Sequence, residues 1–132
     1  MSYTISVEYR GDHVLARHTG EDNYRISLEL WSKIVDTCTR RNCYYVLGVA
    51  ETTTPLNTMD AFSHGEIFKS LGVTSKYRIA WAERNPAALQ SLRFVETVLR
   101  NRGITNGRLF SDESEALYWL LAEEAALAGS AL

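Results

Sequence analysis

The chain has only two cysteines, only two prolines and no marked excess of either charge sign. Cys38 and Cys43 lie five apart, which fits no zinc pattern, and no histidine cluster accompanies them, so no metal is expected. A net charge of -2 argues against a nucleic-acid partner and against an anionic membrane surface. No apolar run reaches membrane-spanning length, and MSYTISVEYR has no apolar signal core. Stable membrane insertion is therefore not expected, and the expected location is cytoplasmic with both thiols reduced. The sequence also lacks G-x-G-x-x-G, a P-loop and G-x-S-x-G, so neither a cofactor nor a catalytic nucleophile announces itself.

What remains is a globular composition. A chain of 132 residues buries roughly two thirds of its unfolded surface without a disulfide or metal staple. One domain over 1–132 is expected, with 124–132 a frayed, alanine-rich tail.

Periodicity places the elements. Tyr3 to Tyr9 and His13 to Thr19 alternate as strands and flank a short Gly-Asp turn, which reads as a hairpin. Ser27 is expected to cap a helix with Leu28, Trp31, Ile34, Val35 and Cys38 on its apolar face. Tyr44 to Ala50 is the next strand. Asn57 or Thr58 then caps a helix carrying Ala61, Gly65, Phe68 and Leu71. Tyr77 to Ala82 is a strand, and Asn85-Pro86 opens a helix with proline at its first position. Arg108 to Phe110 is a short strand, and Asp112 with Glu115 starts a last helix burying Ala116, Leu117, Leu120 and Leu121.

The order β-β-α-β-α-β-α-β-α specifies an α/β fold. A mixed, mostly parallel five-stranded sheet with right-handed crossovers and helices mainly on one face is expected. The other face would then be uncovered. Tyr45, Leu47 and Val49, with Ile79 and Trp81 on the next strand, are the large residues assigned to it. Gly48, Ala50, Ala80 and Ala82 are assigned to the helical side. Tyr45, Leu47, Ile79 and Trp81 are accordingly the candidate interface, with a homodimer as the expected assembly. The chain's own hairpin or termini are the competing cover.

Several features carry a resemblance. They are the opening hairpin feeding a helix and an apolar strand ending at Ala50, the segment Arg78-Ile79-Ala80-Trp81-Ala82, and above all the tail. That tail runs Arg102-Gly103-Ile104-Thr105-Asn106-Gly107-Arg108-Leu109-Phe110-Ser111-Asp112-Glu113 into Glu115-Ala116-Leu117-Tyr118-Trp119-Leu120. Over nearly its whole length the chain resembles the SpoIIAA-like family, relatives of the STAS domains of anti-sigma-factor antagonists. The resemblance implies a βα superhelix and a regulatory, bacterial, protein-binding role. It also implies a phosphorylated serine, usually after Asp, at the helix start beyond the central strand. Here Asp60 is followed by alanine. Thr52, Thr53, Thr54, Thr58 and Ser63 are the substitutes that could accept phosphate.

Ligands of open α/β sheets sit beyond the carboxyl ends of the strands. Glu51, Thr52, Thr54, Asn57, Arg84 and Asn85 form the candidate rim there for a small polar or anionic ligand. His13 and His18 differ in strand parity and face apart. Asp60 and His64 fit a surface i, i+4 pair. The leading reading is a non-catalytic regulatory or protein-interaction module binding a protein or itself. The alternative is a small-molecule or lipid-binding domain whose site lies at the C-terminal ends of the parallel strands. An enzyme using His64 and a threonine ranks last.

Overall fold

Alternation of period two builds the first strand pair in the computed structural model, which describes the backbone of residues 2–130 and side chains through residue 122. β1 (Tyr3–Tyr9) and β2 (Val14–Gly20) pair antiparallel, with Ile5 and Val7 turned inward. The chain continues through α1 (Tyr24–Arg41), β3 (Tyr45–Thr52), α2 (Thr58–Phe62), α3 (His64–Leu71) and β4 (Arg78–Glu83). It closes with α4 (Pro86–Asn101), β5 (Gly107–Phe110) and α5 (Glu113–Ser130). The sheet order is β1-β2-β3-β4-β5, parallel from β2 onward, as the alternation of strands with helices requires. The frayed tail expected over 124–132 lies outside the residues whose side chains are described.

Local chemistry sets the helix boundaries. Asn23, not Ser27, caps α1: its side chain accepts from the Ile26 amide at 2.9 Å. Ser27 instead lies one turn inside and donates to Asp22. Asn57 caps α2, Asn85 caps α4 ahead of Pro86, and Asp112 accepts from the Glu115 amide. The single helix expected over residues 58–71 is two, broken at Ser63. Gly65 permits a close approach, but by the Arg102 side chain rather than by backbone.

Both faces of the sheet are covered. Val14, Ala16, Val46, Ala50, Ile79 and Trp81 pack under Leu30, Trp31 and Ile34 of α1 and Ile67 and Phe68 of α3. On the other face Leu15, Leu47, Val49, Ala80 and Ala82 pack against Ala116 and Leu120 of α5. Arg78 fastens that helix. Its Nε and Nη2 donate to the carbonyls of Leu120 and Trp119 at 3.1 and 2.8 Å, and its guanidinium lies 3.6 Å from the Trp119 ring centroid.

The candidate interface is therefore corrected on two counts. Leu47, Ile79 and Trp81 are buried within one chain and Tyr45 packs beside α5, so these residues make no open patch. They also do not share a face. Val46 pairs with Ile79, Gly48 with Trp81 and Leu47 with Ala80, so Ile79 and Trp81 point to the α1 side. In a parallel pair, a one-residue change of register moves every side chain to the opposite face. Large and small residues instead alternate across each face: Trp81 lies over Gly48, and Leu47 lies beside Ala80. α5 sits across the sheet from α4, whose Leu92 and Leu99 pack with the α1-side cluster.

Candidate functional site

The same register gathers polar side chains at one place. Val14, Ala16 and His18 of β2 face α1, as do Ala50 and Thr52 of β3 and Ile79, Trp81 and Glu83 of β4. Each set is apolar until its last member. His18, Thr52 and Glu83 thus meet at the carboxyl ends of three neighbouring parallel strands, beneath Asp22 and Ser27 at the start of α1 and His64 at the start of α3. They form the polar end of a cleft with ≈ 90 Å³ of free volume. Its apolar wall includes Trp31, Phe68, Trp81, Leu92 and Leu99, and its other end opens between Glu96, Arg100 and Arg108.

Glu83 is only 1% exposed and accepts three hydrogen bonds. They come from the Thr52 amide at 3.1 Å, the Thr52 hydroxyl at 2.7 Å and the Asn85 amide at 3.2 Å. Asn85 returns a bond from Nδ2 to the Thr52 carbonyl at 2.6 Å while its Oδ1 caps α4. This ring of bonds ties the ends of β3 and β4 to the start of α4. Burying a carboxylate is costly unless its acceptor sites are filled in this way.

His64 is 4% exposed and lies inside the protein, not on the surface. Its partner is the Asp60 backbone carbonyl, 2.9 Å from Nδ1; the Asp60 carboxylate instead accepts from the Tyr24 amide. A carbonyl can only accept, so Nδ1 carries the proton and Nε2 the lone pair of the neutral ring. His18, 2% exposed, bonds the Glu21 carbonyl through Nε2, which in the neutral ring leaves the lone pair on Nδ1. Neither His64 Nε2 nor His18 Nδ1 meets a hydrogen-bond partner among the described residues, yet no sealed side-chain nitrogen lacks one. Both atoms therefore open onto the cleft.

Burial holds the His64 imidazole below its usual range, against the opposing pull of the Asp60 carbonyl and of Asp22. Burial pushes the Asp22 carboxyl up, against the pull of His18 and the Ser27 hydroxyl. Because the unfolded chain takes up the His64 proton that the folded chain resists, stability should fall as pH drops below 6.5. Proton uptake at Asp22 favours the folded chain and opposes this. In an Asp22→Asn background, the urea midpoint should fall between about pH 7.5 and about pH 5.5. Adding His64→Gln should remove that part of the slope, and an unchanged slope would refute the assignment.

The structure divides the expected rim. Thr52 is buried and bound to Glu83, so it is neither a rim residue nor an accessible phosphoacceptor. Glu51 points to the opposite face from Thr52, beyond Leu47 and Val49. Asn57 is committed to the α2 cap and Asn85 to Thr52 and α4. Thr53, Thr54, Thr58 and Arg84 are exposed, and Ser63 is half-buried with its hydroxyl bonded to the Met59 carbonyl. The polar groups that converge are instead His18, Asp22, Ser27, His64 and Glu83. A legible signal existed for two of them, since the sets Val14-Ala16-His18 and Ile79-Trp81-Glu83 each end on a titratable group. Asp22 and Ser27 join through the earlier start of α1, which the Ser27 cap assignment hid. Among the described residues no cluster of His, Cys, Asp or Glu has metal-binding geometry, and no helix is long and apolar enough to cross a membrane.

No family model and no curated protein sequence matches the chain. Solved structures do. An anti-sigma factor antagonist from Mycobacterium paratuberculosis superposes with a TM-score of 0.57 at 14% identity, over 90% of this chain and 94% of that one. An uncharacterized protein with a SpoIIAA-like fold from Shewanella loihica PV-4 gives 0.51 at 14% identity, over 89% and 93%. The likeness at this identity is one of fold: a single mixed α/β sheet domain of SpoIIAA-like type.

Proposed function

We propose that this SpoIIAA-like domain is a non-catalytic regulatory module that acts by contacting another protein through the rim beyond β3. The observation that carries the reading is the polarity of α2. Its small residue Ala61 faces inward with Leu56 against Val95 of α4, while Met59 and Phe62 stand 73% and 49% exposed. A helix that buries alanine and presents methionine and phenylalanine to solvent has the amphipathicity of a contact surface. Thr53, Thr54 and Thr58 are exposed beside it, so phosphate on any of them would add charge next to the contact. The match to an anti-sigma factor antagonist supports a regulatory role. A second copy docked on the sheet is not favoured, because α5 covers that face.

The test begins with affinity capture from the source cells, followed by calorimetry with the purified captured protein. The double variant Met59→Asp/Phe62→Asp is expected to weaken binding roughly a hundredfold, as loss of two central apolar anchors does. Its urea midpoint should match wild type, because both side chains are exposed. Unchanged affinity in the double variant would move the contact elsewhere.

A further inference from the structure

The polar end of the cleft holds more acceptors than donors. The Ser27 hydroxyl is spent on Asp22 and the Thr52 hydroxyl on Glu83. Facing them are the Asp22 carboxylate and two buried imidazoles, each of which as a neutral ring turns a lone-pair nitrogen onto the cleft. Arg100 and Arg108 lie at the opposite end, and Arg100 is paired with Glu96 at 3.6 Å. Among the described residues no lysine or arginine lines the polar end. Beside it, Trp31 and Trp81 stack with ring centroids 5.5 Å apart, and Phe68 tilts against Trp31 at 4.5 Å. A group suited to this place brings several N–H donors on one atom, a positive charge and a short apolar body.

We infer that the cleft between β2–β4 and helices α1, α3 and α4 is a binding site for a small primary amine. Its ammonium lies among Asp22, His64 Nε2 and His18 Nδ1, and its carbon chain lies along Trp31, Trp81 and Leu92. A primary ammonium offers three donors from a single atom to these three acceptors. Hydrogen bonds with a charged partner are about twice as strong as neutral ones, and the buried setting sharpens them further. A volume of ≈ 90 Å³ limits the occupant to roughly five heavy atoms, below the size of a lipid chain or a nucleotide. Metal is not the occupant, because these side chains do not converge with metal-binding geometry among the described residues.

The test uses the full chain and three probes of equal length: n-butylamine, n-butanol and n-butyrate. Each is titrated at neutral pH while the imidazole and indole NMR signals are followed. Butylamine is expected to bind with a Kd on the order of 1 mM, shifting the signals of His18, His64, Trp31 and Trp81. Butyrate is expected to leave them unmoved. Asp22→Asn should weaken the amine roughly tenfold or more while keeping a dispersed spectrum. Leu92→Phe, which fills the apolar wall and leaves every acceptor in place, should abolish binding whether or not the Asp22 variant folds. Equal shifts from butanol and butylamine would overturn the recognition of charge. The absence of imidazole shifts with every probe up to about 50 mM would show a cleft that holds only water, and the inference would be wrong.

Discussion

Gly48→Ala is expected to destabilise the protein by about 3 kcal/mol, the upper end of the range for overpacking a core. A Cβ added at Gly48 would fall among the ring atoms of Trp81, its pairing partner on β4. The indole has nowhere to retreat, because Trp31 stacks on it and Phe68 packs behind Trp31. The backbone at this position carries no unusual torsion, so the whole cost is steric. Urea unfolding checks it: the midpoint should fall sharply with the m-value unchanged. Trp81→Leu in the same chain should make Gly48→Ala far less costly, since the two side chains would no longer compete for one volume. Additive losses in the double variant would show that Gly48 is needed for some other reason.

Glu83→Ala is the second large effect, also about 3 kcal/mol. It leaves the amides of Thr52 and Asn85 and the Thr52 hydroxyl without their acceptor, in a place that water does not reach freely. Orphaned buried donors cost more than the hydrogen bonds themselves contribute. Glu83→Gln keeps one carbonyl oxygen but turns an NH2 group toward donors, so an intermediate loss of about 1.5 kcal/mol is expected. Both variants should speed amide exchange at Thr52 and Asn85 before the rest of the sheet opens. Wild-type exchange in Glu83→Ala would mean that the α4 cap and strand pairing alone hold this corner.

These two residues also mark what was readable in the chain. Strand order, the parallel sheet and helices α1, α4 and α5 follow from hydrophobic period and from caps such as Asn85-Pro86 and Asp112-Glu115, while α2 and α3 read as one helix. Burial of Cys38 follows from helical spacing alone, and burial pushes its thiol up to about 12. The relation between β3 and β4 does not follow, because both strands are apolar on both faces and nothing local chooses a register. Gly48 chooses it: only there does β3 admit the indole of Trp81. The cover over Leu47 and Val49 was equally hidden. The apolar stripe of α5 is visible in Ala116, Leu117, Leu120 and Leu121, but a stripe does not name the face it will meet. Arg78 supplies that information through space, from β4 to the carbonyls of Trp119 and Leu120.

The candidate site was legible in position and not in composition. The carboxyl ends of the parallel strands point to Glu51, Thr52, Thr54, Asn57, Arg84 and Asn85; of these only Thr52 and Asn85 join the network around Glu83, a residue outside that set. Thr53, Thr54 and Thr58 are exposed, and just beyond them so is the α2 pair Met59 and Phe62, on the short helix that ends at the break at Ser63. His64 shares the i, i+3, i+4, i+7 face with Ala61, Gly65 and Phe68, so its burial is consistent with helical spacing.

Hydrogen–deuterium exchange of the chain alone and bound to its captured protein tests the contact proposal most directly. Protection confined to residues 53–62, with α5 and the β1 edge unchanged, is the predicted result. Protection concentrated on α5 or on β1, with residues 53–62 exchanging as in the free chain, would contradict a contact through α2.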